Sequence, residues 1–202
     1  MALDLERLIE RMQENLDRER FYHTMGSLEA AVVLALRFGV APEKAALAAL
    51  LHDCARRYSR ADQWRLIEAW RVAVPEGARD YPPLWHSWLS AEVARRDYGL
   101  ADAEIEDAIR CHATGKQGMS LVGEALFVAD CIEPMRDYEE AGRLRAAARA
   151  APHGGARRDL QGAVLQCLRV KTNHVRLSGR QVHPDALAAL RFYETAVHSS
   201  QG

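Results

Sequence analysis

"AALLHDCARR", residues 48–57, joins an apolar run to a polar pair, and this stretch governs the interpretation of the whole chain. Four apolar residues lead directly into His52 and Asp53, which stand side by side in a segment with the composition of a buried helix. Burying a charged carboxylate costs several kcal/mol unless a partner compensates its charge. The stretch therefore raises the question of which group compensates Asp53.

Helical periodicity extends outward from this segment in both directions. Leu5, Leu8, Ile9, Met12 and Leu16 fall on one face of an opening helix. Periodicity and capping residues predict further helices over residues 23–39, 43–55, 60–70, 84–99, 102–112, 121–134, 157–176 and from 184 onward. A Pro/Gly-rich loop is predicted at 74–83. No segment shows clear strand alternation, so we predict an all-α fold, a single compact helical bundle.

Composition and charge favour a soluble protein that resides in a reducing compartment. The net charge of −1, from 27 basic and 28 acidic residues, argues against a dedicated binder of nucleic acid or of a membrane surface. The first twenty residues are too charged for a signal peptide, and no apolar run reaches membrane-spanning length. The four cysteines lack a CxxC pair, so we expect free thiols and a cytoplasmic location.

Six polar residues lie against apolar neighbours at or near the ends of the predicted helices. In chain order they are His23, His52, Asp53, His86, His112 and Asp130. Such a set could converge at the centre of a bundle, where a cation would offset its polarity. Imidazole nitrogen and carboxylate oxygen form a ligand set suited to Fe, Mn, Co or Zn. We therefore expect a divalent metal, most readily iron, to compensate Asp53.

The ordered set His…His-Asp…His…His…Asp resembles the HD superfamily of metal-dependent phosphohydrolases. Five longer stretches are similar to its YqeK branch, the symmetrical bis(5′-nucleosyl)-tetraphosphatases: "RFYHTMG" (20–26), "AALLHDCAR" (48–56), "HATGKQGMS" (112–120), "FVADCIEPMRDY" (127–138) and "VHPDALAALRFY" (182–193). The resemblance spans about residues 18–193. It implies one HD domain over residues 1–202, with a motif-bearing core at about 18–138 and a C-terminal helical extension at about 139–198.

The resemblance also implies roles for the residues that match the motifs. One metal would be held by His23, His52, Asp53 and Asp130. Asp53 could bridge to a second metal, with His86 and His112 as its other ligands. If one ion alone binds firmly, His86 and His112 become free to contact phosphate or to transfer protons. Asp53, or a water that it orients, is the expected base, so the catalytic set is Asp53, His86 and His112.

The reaction that the resemblance implies is hydrolysis of diadenosine tetraphosphate to two ADP by a metal-activated water that attacks an inner phosphorus. Thr114, Gly115 and Lys116 form a loop whose backbone N–H groups could approach phosphate closely. Arg136 could pair with phosphate bidentately. The remaining candidates for binding substrate are Arg20, Asp137 and His183.

Four positions depart from the pattern of the branch, and at one of them Ala113 stands where threonine is common. Lys116 stands where arginine is common, and Arg56 stands where lysine is usual, so both positions keep their positive charge. Ser87 replaces a common glycine and places a side chain next to the expected ligand His86. The shape of the pocket is therefore left open.

Two other functions also stay open. The chain could be an HD phosphohydrolase that acts on a different nucleotide, such as a nucleoside monophosphate or a guanosine alarmone. It could also be a nucleotide-sensing binding module without turnover, although all six ligand positions are intact. The expected partner is a dinucleoside polyphosphate or ADP rather than a membrane or nucleic acid, and a homodimer is an open alternative for the assembly.

Overall fold

The computed structural model describes residues 4–150 and 154–198, and every regular element in those ranges is helical. The helices are α1 (Leu5–Asn15), α2 (Arg18–Phe38), α3 (Pro42–Leu51), α4 (Arg60–Ala69), α5 (Glu76–Arg79), α6 (Trp85–Tyr98), α7 (Ala103–Cys111), α8 (Leu121–Ile132), α9 (Glu139–Ala150), α10 (Arg157–Leu177) and α11 (Pro184–His198). Two 3₁₀ turns, Cys54–Arg57 and Pro82–Leu84, connect them. The predicted all-α fold is confirmed.

Short polar side chains set where several helices begin. The side chains of five residues accept hydrogen bonds from backbone N–H groups of the first turn, namely Asp4, Asp17, Ser59, Asp102 and Ser120. Each satisfies a donor that has no partner within its helix. Gly39 ends α2 in the left-handed conformation, with φ at 68°, as its position in the sequence predicts.

Two boundaries differ from the prediction, and both affect the ligand residues. α2 begins at Arg18 rather than at residue 23, because Asp17 caps its first turn. His23 therefore lies in the second turn of α2 rather than at its first residue. α3 ends at Leu51 rather than at residue 55, because the backbone of Asp53 leaves the helical region at φ −111° and ψ 14°. Asp53 thus lies at a junction between two helical segments.

α8 is the central helix, and its residues from Val122 to Ile132 are all buried. It packs against α2, α3, α7 and α10. Its buried carboxylates therefore need partners within the protein. Glu124 obtains them from Arg157 and from the Tyr193 hydroxyl at 3.1 Å, whereas Asp130 faces the cluster of predicted ligands.

The C-terminal helices pack onto the core that carries the motifs. α10 and α11 form a close pair, and α10 contacts α8 directly. The division of the chain into a core and an extension stays a prediction. None of the helices in the described ranges is long and apolar enough to span a membrane. All four cysteines are buried and unpaired.

Candidate metal centre

The structure brings the six predicted ligand residues together from separate elements. His23 comes from α2, His52 and Asp53 from the junction that follows α3, and His86 from the first turn of α6. His112 follows α7, and Asp130 lies near the end of α8. Five of the six side chains are buried, and the side chain of His23 is 14% exposed.

One half of the cluster is built around His23. Its Nε2 atom lies 3.1 Å from Nε2 of His52 and 3.3 Å from Oδ1 of Asp130. Both imidazole Nε2 atoms lie 3.9 Å from Oδ2 of Asp53. His23, His52 and Asp130 therefore present one group of atoms spaced closely enough to share a cation.

The other half lies on the opposite oxygen of Asp53. Oδ1 of Asp53 is 3.3 Å from Nε2 of His86 and 3.7 Å from Nε2 of His112. Those two Nε2 atoms are 3.2 Å apart. A second group of possible ligands is formed by His52, Asp53 and His112. The two oxygens of Asp53 thus face two different pairs of imidazoles, which is the placement that a bridging carboxylate requires.

The hydrogen bonds at Nδ1 decide which ring nitrogens are available as ligands. Nδ1 of His52, His86 and His112 lies 2.6 to 2.8 Å from the backbone carbonyls of Ala49, Pro83 and Ile109, respectively. A carbonyl accepts and never donates, so each Nδ1 carries a hydrogen and each neutral ring has its lone pair on Nε2. Lone pairs that face each other at about 3 Å repel unless a cation lies between them. The donor set therefore fits a divalent metal.

Electrostatics set the same protonation states. Burial lowers the pKa of His52 to about 4. Burial and the Arg56 guanidinium hold the pKa of His86 well below its usual range. Burial opposes ionisation of Asp130, but Lys171 and His23 outweigh it and hold the pKa of this carboxyl well below its usual range. Neutral imidazoles and ionised carboxylates are the forms that bind metals.

His23 is the exception among the imidazoles. Burial disfavours its charged form, but hydrogen bonds to Asp130 and to Glu133 outweigh burial and raise its pKa to about 9. Nδ1 of His23 lies 3.1 Å from Oε1 of Glu133. Without metal, His23 is therefore protonated at neutral pH and supplies positive charge to Asp130. A metal at this position must displace the proton.

Sequence reasoning missed two residues that hold the cluster. Glu133 is buried and anchors His23, and the signal for it was its place at the end of the apolar run of α8, as for Asp53 after α3. Lys171 of α10 donates to Oδ2 of Asp130 at 2.8 Å and to the carbonyl of His112 at 3.1 Å. Its ammonium also lies 4.3 Å from the centre of the Phe127 ring. No local pattern marks Lys171, since it reaches the site only through packing of α10 on α8.

Arg56 takes a larger role than its sequence position suggested. Its Nε donates to Oδ1 of Asp53 at 2.9 Å, and its Nη2 lies 3.1 Å from Nε2 of His86. The guanidinium therefore occupies the face of His86 and Asp53 on which a second metal is expected. A second ion at this position would have to displace Arg56.

The predicted substrate residues fall into two groups. Arg20 and Arg136 line a cavity of about 290 Å³ that opens directly onto His23 and Asp53. Arg136 also donates to Oδ1 of Asp130 at 2.9 Å. Thr114 and His183 line a second cavity, of about 700 Å³, on the far side of Lys171.

The other three predicted substrate residues do not line either cavity. The N–H of Gly115 donates to the carbonyl of Cys111 at 2.7 Å, and a Cβ on this residue would lie 3.2 Å from Leu168. Gly115 is thus explained by close packing. Lys116 pairs with Asp107 at 2.7 Å, and Asp137 is exposed. Their roles in binding substrate stay predictions.

The segment that contains the ligand positions is also recognised when the sequence is compared with known protein families. Residues 20–135, which contain all six ligand positions, match the family model of the HD domain. The chain belongs to the HD domain family. The similarity of this HD protein to known proteins also extends beyond the span of the family model.

Two curated relatives of this HD protein carry the same name, "Bis(5′-nucleosyl)-tetraphosphatase, symmetrical". The one from Bacillus subtilis (strain 168) is 32% identical over 175 residues, which cover 86% of this chain and 89% of that protein. The one from Halalkalibacterium halodurans is 30% identical over 177 residues, covering 88% and 90%. A crystal structure from Clostridium acetobutylicum, described as a "predicted HD superfamily hydrolase involved in NAD metabolism", is 25% identical and superimposes with a TM-score of 0.85 over 97% of this chain and 100% of that one.

Proposed function

We propose that this HD protein is a metal-dependent hydrolase that cleaves diadenosine tetraphosphate symmetrically into two ADP. The observation that carries the proposal is the position of Asp53, an ionised carboxylate whose two oxygens face two pairs of imidazole Nε2 atoms. The names of the relatives from B. subtilis and H. halodurans supply the substrate.

The proposed metal ligands are His23, His52, Asp53 and Asp130, with His86 and His112 available to a second ion. A divalent metal at this position lowers the pKa of a coordinated water and neutralises charge on the phosphates. Iron is the metal that we propose, and Mn, Co or Zn would suit the same nitrogen and oxygen donors. Because Arg56 contacts both His86 and Asp53, we propose that the ion beside His23 binds more firmly than the second.

The chain's own residues account for the remaining steps. The Asp53 carboxylate accepts the proton of the attacking water, because it is ionised and central to the cluster. Burial opposes that ionisation, but His52, His86 and Arg56 hold the pKa of Asp53 well below its usual range. Guanidinium groups of Arg20 and Arg136 donate to phosphate oxygens in the smaller cavity. The water oxygen forms a bond to the second phosphorus, and the bond from that phosphorus to the oxygen that bridges it to the third phosphorus breaks. One ADP leaves with the bridging oxygen, and the hydrolysed half is the other ADP.

Several finer properties belong to the same proposal. We propose a cytoplasmic enzyme whose partner is a small dinucleoside polyphosphate and which has no dedicated nucleic-acid surface. A homodimer is the proposed assembly. Sedimentation equilibrium tests the assembly, and metal analysis of protein purified without air tests the identity of the ion.

Product analysis tests the proposed function. Purified protein is incubated with diadenosine tetraphosphate and iron(II) or manganese under reducing conditions, and the nucleotides are separated by chromatography. NAD is assayed in parallel, because the C. acetobutylicum relative is described as involved in NAD metabolism. Asp53→Ala is compared with Asp62→Ala, a matched change at an aspartate that contacts Ser59 and Arg65 on α4.

The proposal expects ADP as the sole nucleotide product from the wild type and from Asp62→Ala, and no cleavage by Asp53→Ala. Formation of AMP and ATP would contradict symmetrical cleavage while leaving metal-dependent hydrolysis in place. Cleavage of NAD but not of diadenosine tetraphosphate would favour an HD hydrolase acting on another nucleotide. Tight nucleotide binding without cleavage under any metal would favour a binding module.

A further inference from the structure

Two cavities of opposite character lie beside the candidate metal centre, and the smaller of them is lined by two of the ligand residues. The larger, of about 700 Å³, lies between the segment around Tyr81–Leu84 and the helices α10 and α11. Its walls are largely apolar and include Leu84, Leu168, Val175 and Val182. This volume lies in the range of pockets that enclose small organic ligands, about 300–1,000 Å³. It is large enough for a nucleoside.

The larger cavity is tied to the metal centre at two points. The carbonyl of Pro83, in the cavity wall, accepts the Nδ1–H of His86 at 2.8 Å. Lys171, also in the wall, donates to Asp130 at 2.8 Å and to the carbonyl of His112 at 3.1 Å. None of the six ligand residues lines this cavity, so Lys171 is the cation of its wall that stands next to them. A nucleoside bound here with its phosphates at Lys171 would direct them toward Asp130.

His183 adds a polar group to the larger cavity. The ring is buried, and its Nδ1 accepts the N–H of Asp185 at 3.2 Å, so the neutral ring carries its hydrogen on Nε2. That Nε2 atom is buried and has no hydrogen-bond partner among the described residues. The ring packs edge-on against Tyr81, with 5.4 Å between the ring centres, so His183 forms part of the closed wall of the cavity.

The smaller cavity, of about 290 Å³, has a different lining. His23 and Asp53 form part of it together with Arg20, Arg56 and Arg136. Met135 is the single apolar side chain among the described residues that line it. Asp17, Glu19 and Glu133 also line it, and each of the three guanidinium groups pairs with a carboxylate. A phosphate would therefore have to share these donors with the carboxylates. This volume has no apolar wall against which a second base would be buried.

We infer that the site binds one nucleoside of a dinucleotide as a base, in the larger cavity, and recognises the opposite end through its phosphates alone. The inference rests on the proposed function and extends it to a further substrate class. A mononucleoside tetraphosphate, which lacks the second nucleoside, is also a substrate. Adenosine 5′-tetraphosphate is therefore cleaved to ADP and pyrophosphate.

The cleavage balances without any further reactant. A water oxygen forms a bond to the phosphorus second from the bound adenosine, and the bond from that phosphorus to the next bridging oxygen breaks. The electron pair stays on the departing oxygen, and the water's proton leaves through Asp53 to solvent. Because position is counted from one bound nucleoside, the product from that end is ADP whether the departing group is ADP or pyrophosphate.

The experiment compares three substrates at equal metal concentration: diadenosine tetraphosphate, adenosine 5′-tetraphosphate and inorganic tetraphosphate. Val175→Trp fills the larger cavity from α10, and Val182→Trp fills it from the following loop. Leu177→Trp is the matched control, because Leu177 lies on the same helix with 80% of its surface exposed and outside the cavity lining. Metal content and circular dichroism check the fold of each variant, and ADP binding is measured by calorimetry on the metal-loaded protein.

We expect kcat/KM for adenosine 5′-tetraphosphate within about tenfold of that for diadenosine tetraphosphate, and at least 100-fold less for inorganic tetraphosphate. Both cavity-filling variants lower kcat/KM for the two nucleotides and weaken ADP binding by tenfold or more, whereas Leu177→Trp leaves them unchanged. The inference is overturned if diadenosine tetraphosphate alone is cleaved, if AMP and triphosphate appear, or if filling the cavity has no effect.

Failure of the proposed function gives a different pattern. If the wild type cleaves neither nucleotide with any metal, the hydrolase assignment and the new substrate class both fall. If the cavity-filling variants then weaken ADP binding, the cavity is the nucleotide site and only the proposed reaction is wrong. If ADP binding is the same in these variants, the assignment of the cavity is wrong.

Discussion

Metal binding should release a proton from His23, and the number of protons can be measured. The pKa of His23 is raised to about 9, since hydrogen bonds to Asp130 and Glu133 outweigh the opposing effect of burial. A metal needs the unprotonated Nε2, so the ion competes with this proton at every pH below about 9. His52 and His86 are neutral and the carboxylates are ionised, so they contribute no proton at pH 7.

The magnitude follows from the pKa of His23. Two pH units separate pH 7 from a pKa of about 9, which corresponds to about 2.7 kcal/mol for removing the proton at pH 7. The apparent dissociation constant for Mn²⁺ should therefore fall about tenfold per pH unit between pH 6.5 and 8.5 and level off above about 9. Calorimetry at pH 7 in two buffers with different ionisation enthalpies should report release of about one proton per ion.

A conservative variant separates this account from a general effect of pH. Glu133→Gln keeps an oxygen that can accept the N–H of Met135 but removes the charge beside His23. The pKa of His23 should fall, and the levelling of the pH dependence should move to lower pH. Glu139→Gln, at a surface carboxylate paired with Arg143, is the control and should leave the curve unchanged. The same affinity at pH 6.5 and 8.5, with no proton released, would refute the reasoning.

Three other predictions concern residues around the centre. Lys171→Met should lower the free energy of unfolding of the metal-free protein by about 1–3 kcal/mol in a urea titration, because Asp130 loses a charged donor. Saturating Mn²⁺ should restore part of this loss. The control is Lys116→Met, at an exposed pair with Asp107, which should cost less than about 1 kcal/mol in the same titration. Arg56→Ala should raise the number of Mn²⁺ ions bound per chain from one to two in equilibrium dialysis, and an unchanged number would contradict the competition between Arg56 and a second ion. Gly115→Ala should lower the melting temperature more than Gly39→Ala. Both glycines have φ at 68°, a conformation that costs a residue with a side chain about 1 kcal/mol. Of the two, only Gly115 would bring the new Cβ against a neighbour, at 3.2 Å from Leu168.

The sequence allowed the helical class and the ligand set to be predicted because both leave local marks. Pro42 and Gly39 delimit helices by their backbone preferences, and they do so in the structure. His52 and Asp53 stand out as polar residues in an apolar run. The break after Leu51 was missed, since the composition of 43–55 is helical throughout and only the junction at Asp53 interrupts it.

What the sequence could not supply was contact between distant segments. Lys171 lies 41 residues beyond Asp130 in the chain, and only packing of α10 on α8 joins them. The sequence marks Arg56 only as a position that keeps its positive charge, whereas in the structure it contacts Asp53 and His86. Gly115 was predicted to approach phosphate, which stays a prediction, but its close packing against Leu168, Phe127 and Ala189 left no mark in the sequence. In each case tertiary packing gave the residue its partners.

The most direct test of the central claim is an anomalous-difference map from a crystal of the protein grown with Mn²⁺ or iron(II). The account predicts a peak in the half of the cluster built around His23, about 2 Å from Nε2 of His23 and His52 and from oxygens of Asp53 and Asp130. The His23–Asp130 contact of 3.3 Å would be replaced by two bonds to the ion. A map without a peak there at saturating metal, with His23 still contacting Asp130 directly, would contradict the claim that a metal compensates Asp53.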